Sequence, residues 1–185
     1  MLERILVLGA TGFIGGTVLR TLCDQFGSGF ITALIRDDSE GTRSKILQSK
    51  LGCTTATFSS LDATDELQAI VAEYDIVVNA ADACDHVPSA VAITKGLSVR
   101  GGLLIHVSGT GVIMDDAQGK ADPDGTTVFS DVDYNKTDAI PDSQIHRDVD
   151  LVVARADGVD GVITVTVVPP LVYGLGTGCF KRHSG

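Results

Sequence analysis

The chain has 185 residues, of which 44% are hydrophobic and 21% charged. This length fits one compact domain, and the balance of apolar and charged residues excludes an intrinsically disordered chain. The formal net charge of −10 leaves no basic surface for a phosphate backbone, so we expect no nucleic-acid partner.

Six apolar runs of strand length alternate with segments of helical periodicity. The runs cover residues 4–10, 30–36, 54–58, 75–81, 102–109 and 162–170. Strands that alternate with helices along a chain pair in parallel, with the helices covering both faces of the sheet. The pattern therefore predicts the α/β class, with a doubly wound parallel sheet of about six strands.

Three helices are predicted from apolar residues that recur at helical spacing. The first contains Ile14, Val18 and Leu22, and the second carries an apolar stripe that ends at Tyr74. The third is predicted over residues 88–99, where a proline suits the first turn of a helix.

A fourth helix is predicted to begin near Ser143, which can act as its N-cap, and to end before Gly158. Its predicted buried face consists of Ile145, Val149, Val152, Val153 and Ala156. Residues 115–127, which follow the fifth strand, are rich in Asp and Gly and are predicted to form an exposed loop.

The cysteines and histidines show no metal-binding spacing. The four cysteines include no Cys-x-x-Cys pair, and the four histidines match no zinc-binding motif, so we expect reduced thiols and no metal. The N-terminal segment mixes charged residues with a short apolar run, which is typical of neither a signal peptide nor a membrane span. We therefore expect no membrane partner and a cytoplasmic location.

Three glycines, Gly9, Gly12 and Gly15, directly follow the first apolar run. A strand, a glycine-rich turn and an amphipathic helix in this order are typical of a dinucleotide-binding Rossmann unit, although the common fingerprint is one residue shorter. The turn lets backbone N–H groups approach a pyrophosphate, and the helix N-terminus directs its positive end at the anion. Gly15 would let the helix pack closely on the strand. The alternative is a glycine-rich turn without a ligand.

The end of the second run bears on the choice between NADP and NAD. Arg36 can bind a ribose 2′-phosphate, whereas an acid such as its neighbour Asp37 accepts hydrogen bonds from a free 2′-hydroxyl. Because Arg36 comes first, NADP is the expected cofactor, and NAD stays open because of the adjacent acids. A solvated charged loop is the alternative that involves no ligand.

Six segments together resemble the extended and atypical short-chain dehydrogenase/reductases. They read GATGFIGG, LIRD, SSLDATDEL, VVNAA, HVSGTG and VVPPLVYG, and they extend over about residues 3–175. This superfamily includes NAD(P)-dependent epimerases and dehydratases, dihydroflavonol reductase-like proteins and NmrA-like proteins. The resemblance implies a dinucleotide-binding Rossmann domain over residues 1–175 and a short C-terminal tail over residues 176–185.

The resemblance also implies which residues contact the cofactor. In order along the dinucleotide, they are Gly9, Thr11, Gly12, Phe13 and Ile14 at the pyrophosphate, Arg36 at the adenosine ribose, Leu61 and Asp62 at the adenine, Ala80 and Ala81 at the central ribose, and Pro169, Pro170 and Val172 at the nicotinamide.

The catalytic residues of the family are only partly matched. Ser108 matches the serine that family enzymes use to polarise a substrate carbonyl. The family's tyrosine and lysine are absent, because the matching places hold His146 and Asp150. His146 could act as an acid or base near neutral pH, or it could be a surface or capping residue. Tyr134 is a further catalytic candidate, and the alternative for it is a loop residue beside a solvated lysine.

Three functions stay open at this point. The first is an oxidoreductase or epimerase-like enzyme that acts on a carbonyl or nucleotide-sugar substrate. The second is a non-catalytic dinucleotide-binding sensor similar to the NmrA-like proteins, and the third is a truncated, inactive form. Family members continue into a smaller C-terminal substrate domain, which we expect this chain to lack. Its exposed apolar surface would then favour a homodimer.

Overall fold

The computed structural model describes residues 3–115, 128–132 and 134–180, without the side chain of Tyr134. The predicted loop over residues 115–127 therefore lies outside the described residues, apart from its first position. Within the described ranges there are six strands: β1 Ile5–Leu8, β2 Ile31–Arg36, β3 Thr54–Phe58, β4 Ile76–Asn79, β5 Gly102–Val107 and β6 Val162–Val167. They form one sheet in the order β3-β2-β1-β4-β5-β6, and every neighbouring pair is parallel. The predicted α/β class and its six parallel strands are confirmed.

Helices cover both faces of the sheet, as the apolar runs require. Their bounds are α1 Phe13–Phe26, α2 Thr42–Leu51, α3 Thr64–Val71, α4 Val87–Leu97, α5 Tyr134–Asp138 and α6 Arg147–Ala156. Central strands are buried on both sides, and Leu6, Val7 and Leu8 of β1 are at most 1% exposed. Because such strands have no solvent face, their sequences are continuously apolar rather than alternating.

Two apolar clusters hold the helices against the sheet. On one face, Leu19 of α1 and Leu47 of α2 pack with the β2 side chains. On the other face, Leu67 of α3, Ile93 of α4 and Val153 of α6 join Leu6 and Leu8. Among the described residues, no helix combines the length and the apolar composition that crossing a bilayer requires.

The prediction for the helix before β6 was wrong at its start. The helix begins at Arg147 rather than near Ser143, and Ile145, predicted to be buried, is 50% exposed. The reason is His146, whose backbone is left-handed, with φ of 70°, and interrupts the run of helical residues. Val149 and Val153 are buried as predicted.

Helix α2 has no counterpart among the predicted helices. Leu47 is its only buried residue, and its remaining positions are mostly polar, so it lacks the apolar periodicity on which helix prediction depends. The helix is instead bounded by two glycines in left-handed conformation, Gly41 and Gly52. Gly52 donates a hydrogen bond to the carbonyl of Gln48 and so ends the helix in a typical αL cap.

The described part of the predicted tail, residues 176–180, packs against α1. The Thr177 N–H donates to the Thr17 hydroxyl at 3.3 Å, and Arg20 Nε donates to the Thr177 carbonyl at 3.3 Å. A side chain on Gly176 would lie 2.9 Å from the Phe13 ring, so the tail backbone lies directly on that ring. The segment after β6 is thus part of the same packed unit as the glycine turn.

Candidate functional site

The glycine turn brings three backbone segments into close contact at the carboxyl end of β1. Gly9 has φ of 76°, and a Cβ atom there would lie 2.2 Å from the Ala80 carbonyl oxygen. A Cβ atom on Gly15 would lie 2.3 Å from the Gly9 carbonyl oxygen, which confirms that this glycine lets α1 approach the turn. Gly12 is the N-cap of α1 and has no side-chain cap. The positive end of the helix is therefore available to an anion.

A cleft of about 400 Å³ opens beside this turn. It lies at the carboxyl ends of β1, β2 and β4, where the strand order reverses between β1 and β4. Ligands of open parallel sheets bind at such a switch point. The predicted cofactor residues that line the cleft are Gly9, Thr11, Gly12, Arg36, Leu61, Asp62, Ala80 and Ala81.

Five predicted cofactor residues do not line this cleft. Phe13 contacts the tail at Gly176, and Ile14 is half-buried in the first turn of α1. Pro169, Pro170 and Val172 follow β6, and Val172 is 40% exposed. The resemblance puts these three residues at the nicotinamide.

Two arginines line the part of the cleft that adjoins the end of β2. Arg36 is the last residue of β2, and Arg43 lies in the first turn of α2. Asp38 Oδ2 accepts a hydrogen bond from the Arg43 backbone N–H at 2.8 Å, whereas Asp38 Oδ1 is buried without a hydrogen-bond partner among the described residues. Sequence reasoning missed Arg43, because α2 was not predicted. Two signals were available in the sequence. Arg36 supplies a positive charge at this turn, and Gly41 and Thr42 mark the start of the helix that carries Arg43.

The side of the cleft next to the loop after β3 contains an unpredicted hydrogen-bonded pair. His86 Nε2 lies 3.1 Å from Asp62 Oδ1, and both residues line the cleft. His86 Nδ1 also accepts from the Ser89 backbone N–H and so caps α4. The pair joins the loop after β3 to the start of α4.

Ser108 and Asp150 are joined by a buried hydrogen bond. Ser108 Oγ donates to Asp150 Oδ2 at 2.9 Å, and the two residues are 4% and 6% exposed. Burial raises the pKa of Asp150, because a carboxylate loses hydration there, and the hydrogen bond from Ser108 partly offsets this effect. The place that holds lysine in the resembling family thus holds an acid that binds the Ser108 hydroxyl.

Two further buried polar side chains extend this pair. Asn79 Nδ2 lies 3.2 Å from His106 Nδ1, so Nδ1 accepts and the imidazole proton is on Nε2. His106 Nε2 lies 3.7 Å from Asp150 Oδ1. Burial lowers the pKa of His106 to about 4, which keeps the ring neutral at neutral pH. We call Asn79, His106, Asp150 and Ser108 the buried polar chain.

His146 lies next to Ser108 through the intervening Gly109. A Cβ atom on Gly109 would lie 2.3 Å from His146 Nε2, so the ring rests on this glycine. His146 Nδ1 contacts Asp85 Oδ1, in the loop between β4 and α4. The structure therefore brings the His146 ring onto Gly109, the residue that follows Ser108, whereas the side chain of Tyr134 lies outside the described residues.

This geometry defines a class of protein: a parallel α/β domain with a dinucleotide-type cleft at its switch point. Residues 5–96 match the family model described as the saccharopine dehydrogenase NADP binding domain. The chain is an NAD(P)-binding Rossmann domain similar to members of the short-chain dehydrogenase/reductase family.

Comparisons with individual proteins agree with that class. Over its whole length the chain is 33% identical to the oxidase ucsJ of an Acremonium species, and it spans 54% of that protein. Vestitone reductase from alfalfa superposes with a TM-score of 0.63 at 18% identity, over 95% of this chain and 59% of the reductase. A short-chain dehydrogenase/reductase from Veillonella parvula in complex with NADP superposes with a TM-score of 0.56 at 20% identity, over 90% of this chain and 68% of that one.

Proposed function

We propose that the chain binds NADP(H) and supplies the cofactor site of an oxidoreductase. The observation that carries the proposal is the pair Arg36 and Arg43, which both line the cleft at the end of β2. In a Rossmann cleft this is the position that meets the adenosine ribose. Two guanidinium groups there suit a 2′-phosphate, which offers several acceptor oxygens and a double negative charge.

The charge of the whole molecule strengthens this reading. The chain carries a formal net charge of −10. Two positively charged arginines that line one cleft therefore differ in sign from the net charge of the molecule. One oxygen of the nearby Asp38 carboxylate, Oδ2, accepts the Arg43 backbone N–H at the start of α2, and the other, Oδ1, is buried without a hydrogen-bond partner among the described residues. A free 2′-hydroxyl would leave both guanidinium groups without an anionic partner.

The oxidoreductase part of the proposal rests on the relatives and on the nicotinamide end of the site. The curated relative is an oxidase, and a structural neighbour is a reductase. In NADP-dependent enzymes the cofactor carries the hydride, and the protein positions the acceptor. We place the acceptor, a carbonyl or the corresponding alcohol, beside Ser108 and His146, which adjoin each other across Gly109.

Cofactor binding is tested by titrating the protein with NADPH and NADH. We expect micromolar affinity for NADPH, and weaker binding of NADH by about tenfold or more, because charge-assisted hydrogen bonds to the phosphate are lost. The double variant Arg36→Ala, Arg43→Ala should bind both nucleotides equally weakly. Arg100→Ala is the matched control, because Arg100 pairs with Asp75 away from the cleft. Equal affinity of the wild-type protein for the two nucleotides would contradict the role given to the arginines.

Catalysis is tested separately, with aldehydes, ketones, alcohols and nucleotide sugars as substrates. The absorbance of NADPH reports hydride transfer, and product analysis reports epimerase activity. We expect turnover that is lost in Ser108→Ala while NADPH still binds. NADPH binding without turnover of any of these compounds would contradict the oxidoreductase and favour a dinucleotide-binding sensor.

A further inference from the structure

We propose that Cys84, Asp85 and His146 form a binding site for a divalent transition-metal ion of the Zn²⁺ type. One ligand atom from each residue, a thiol sulfur, a carboxylate oxygen and an imidazole nitrogen, lies within 4.8 Å of the other two. Three donors at this separation can move onto one ion with small side-chain rotations. This inference concerns a ligand other than the dinucleotide and does not depend on cofactor binding.

The donor set selects the kind of metal. Thiolate and imidazole are ligands of Zn²⁺ and related ions, whereas Mg²⁺ and Ca²⁺ bind sets that consist of oxygen atoms. A carboxylate is a common third ligand of zinc. Three protein ligands leave one position of a tetrahedral ion for water or a small-molecule oxygen, as in zinc sites that are not purely structural. Binding would release the Cys84 proton to solvent, and the oxidation state of the metal would not change.

Two loops distant in sequence build this site. Cys84 and Asp85 lie between β4 and α4, and His146 is the N-cap of α6, so the hydrogen-bonded residues Asp85 and His146 are 61 positions apart in the sequence. Asp85 Oδ1 contacts His146 Nδ1, and Cys84 Sγ lies 3.8 Å from Asp85 Oδ2. The carboxylate therefore already connects the other two groups.

The backbone around His146 fixes the direction of its ring. His146 adopts a left-handed conformation, which is uncommon for a residue with a side chain and is often found at functional sites. Its ring rests on Gly109, where a Cβ atom would be 2.3 Å from Nε2, and it also approaches Gly111. The two glycines leave room for an imidazole that points back towards Asp85.

The charge near the site favours a cation. Asp85 contacts the Cys84 thiol, and Asp82 lies two residues before Cys84 in the same loop, so carboxylates stand close to the thiol along the chain. Asp85 contacts the His146 imidazole, and none of the described lysines and arginines forms an ion pair with Asp85. A divalent ion would compensate both carboxylates and the thiolate together.

The test uses Co²⁺ as a spectroscopic replacement for Zn²⁺, without nucleotide. Titration of the purified protein should give one equivalent of bound Co²⁺, with a thiolate-to-cobalt charge-transfer band in the near ultraviolet and visible bands of tetrahedral Co²⁺. Zn²⁺ should displace the Co²⁺ and remove these bands. Failure of the wild-type protein to bind one equivalent would overturn the proposal.

Variants with matched controls identify the ligands. Cys84→Ser should remove the charge-transfer band, and Asp85→Asn and His146→Asn should each weaken Co²⁺ binding by about tenfold or more. Asparagine is chosen at residue 146 because it tolerates the left-handed backbone. The controls are Cys179→Ser and His86→Asn, which should bind Co²⁺ as the wild type does. A charge-transfer band that survives Cys84→Ser or is lost in Cys179→Ser would overturn the assignment.

A further variant tests the geometry without altering a ligand. Gly109→Ala would place a methyl group against the His146 ring and force the ring to rotate away. We expect weaker Co²⁺ binding in Gly109→Ala, with unchanged binding in the control Gly29→Ala, where an added methyl group meets no atom within 4 Å. Thermal unfolding of each variant in the absence of metal shows whether the fold is retained. Unchanged Co²⁺ binding by folded Gly109→Ala would contradict the role given to the position of the His146 ring on Gly109.

Discussion

Ser108 donates a buried hydrogen bond of 2.9 Å to Asp150, the residue that stands where the resembling enzymes have their catalytic lysine. The replacement therefore does more than remove a positive charge. It gives the Ser108 hydroxyl an acceptor within the protein, and His106 and Asn79 extend the contact into the sheet. While this bond persists, the Ser108 oxygen is left as an acceptor for any ligand that approaches it.

Two substitutions of Asp150 should distinguish the stabilisation by its hydrogen bond from the destabilisation by its buried charge, both measured as the free energy of unfolding. Asp150→Ala removes the acceptor of Ser108 and should lower the free energy of unfolding by about 1–3 kcal/mol. Asp150→Asn keeps the shape and one acceptor oxygen, and it removes a carboxylate whose pKa burial raises. We therefore expect Asp150→Asn to be close to the wild type in urea unfolding at pH 7.5. An equal decrease in the free energy of unfolding in Asp150→Ala and Asp150→Asn would contradict this prediction.

The stability of the protein should fall as the pH drops from 7.5 to 5. Burial lowers the pKa of His106 from 6.5 to about 4, so the unfolded chain takes up this proton first. The stability that neutral His106 contributes is complete above pH 6.5 and is lost towards pH 4, which predicts a loss of about 2 kcal/mol by pH 5. Asp150 acts in the opposite direction, because its pKa is raised on folding.

The pH dependence is assigned by comparing His106→Leu with Gly29→Ala. His106→Leu lacks the titrating ring, so its free energy of unfolding should change less between pH 7.5 and pH 5 than that of the wild type. Gly29→Ala alters no titratable group and adds a methyl group that meets no atom within 4 Å, so it should keep the wild-type dependence. Identical pH profiles of wild type and His106→Leu would show that His106 is not the titrating group.

Two glycines of the same turn should respond differently to a side chain. Gly12 has φ of −81°, and a Cβ atom there is 3.1 Å from the Gly9 carbonyl oxygen, so Gly12→Ala should fold with a small local shift. The methyl group would nevertheless stand where a pyrophosphate must approach the backbone, so NADPH binding should weaken by about a hundredfold. Fluorescence titration with NADPH measures this loss. Wild-type affinity in folded Gly12→Ala would move the pyrophosphate away from this turn.

At Gly9 the effect of a methyl group should fall on folding itself. Its φ of 76° is strained for any other residue, and the added Cβ atom would be 2.2 Å from a backbone oxygen of Ala80. We expect Gly9→Ala to lower the unfolding midpoint in urea in the absence of nucleotide. A folded, stable Gly9→Ala protein would show that the contact between β1 and β4 is looser than described.

The contact between α3 and α4 depends on Gly96. A Cβ atom there would lie 2.7 Å from Val71 Cγ1 and 2.8 Å from the Gln68 carbonyl oxygen, and the latter is backbone and cannot move aside cheaply. Gly96→Ala should therefore destabilise the protein by about 1–3 kcal/mol in urea unfolding. Gly29→Ala, at an exposed site without neighbours, serves as the control and should have little effect.

The amino-acid sequence determined the class of fold and the place of the glycine turn. Continuous apolar runs and a glycine-rich turn after the first of them are local patterns, because strand burial on both faces and close backbone approach each restrict residue type along a short segment. These patterns correctly predicted all six strands and the close approach of α1 at Gly15. The start of α6 could not be predicted, because His146 takes a left-handed backbone that its residue type does not require.

The tertiary structure alone decided which polar side chains meet. Asp150 binds Ser108, His106 lies beside Asp150, and Arg43 joins Arg36, although the members of each pair come from different elements. Cys84, Asp85 and His146 likewise converge from two loops with no metal-binding spacing between them. Such contacts depend on how the strand order brings distant loops to one edge of the sheet. The spacing of residues along the chain carries no information about the distance between their side chains in the folded protein.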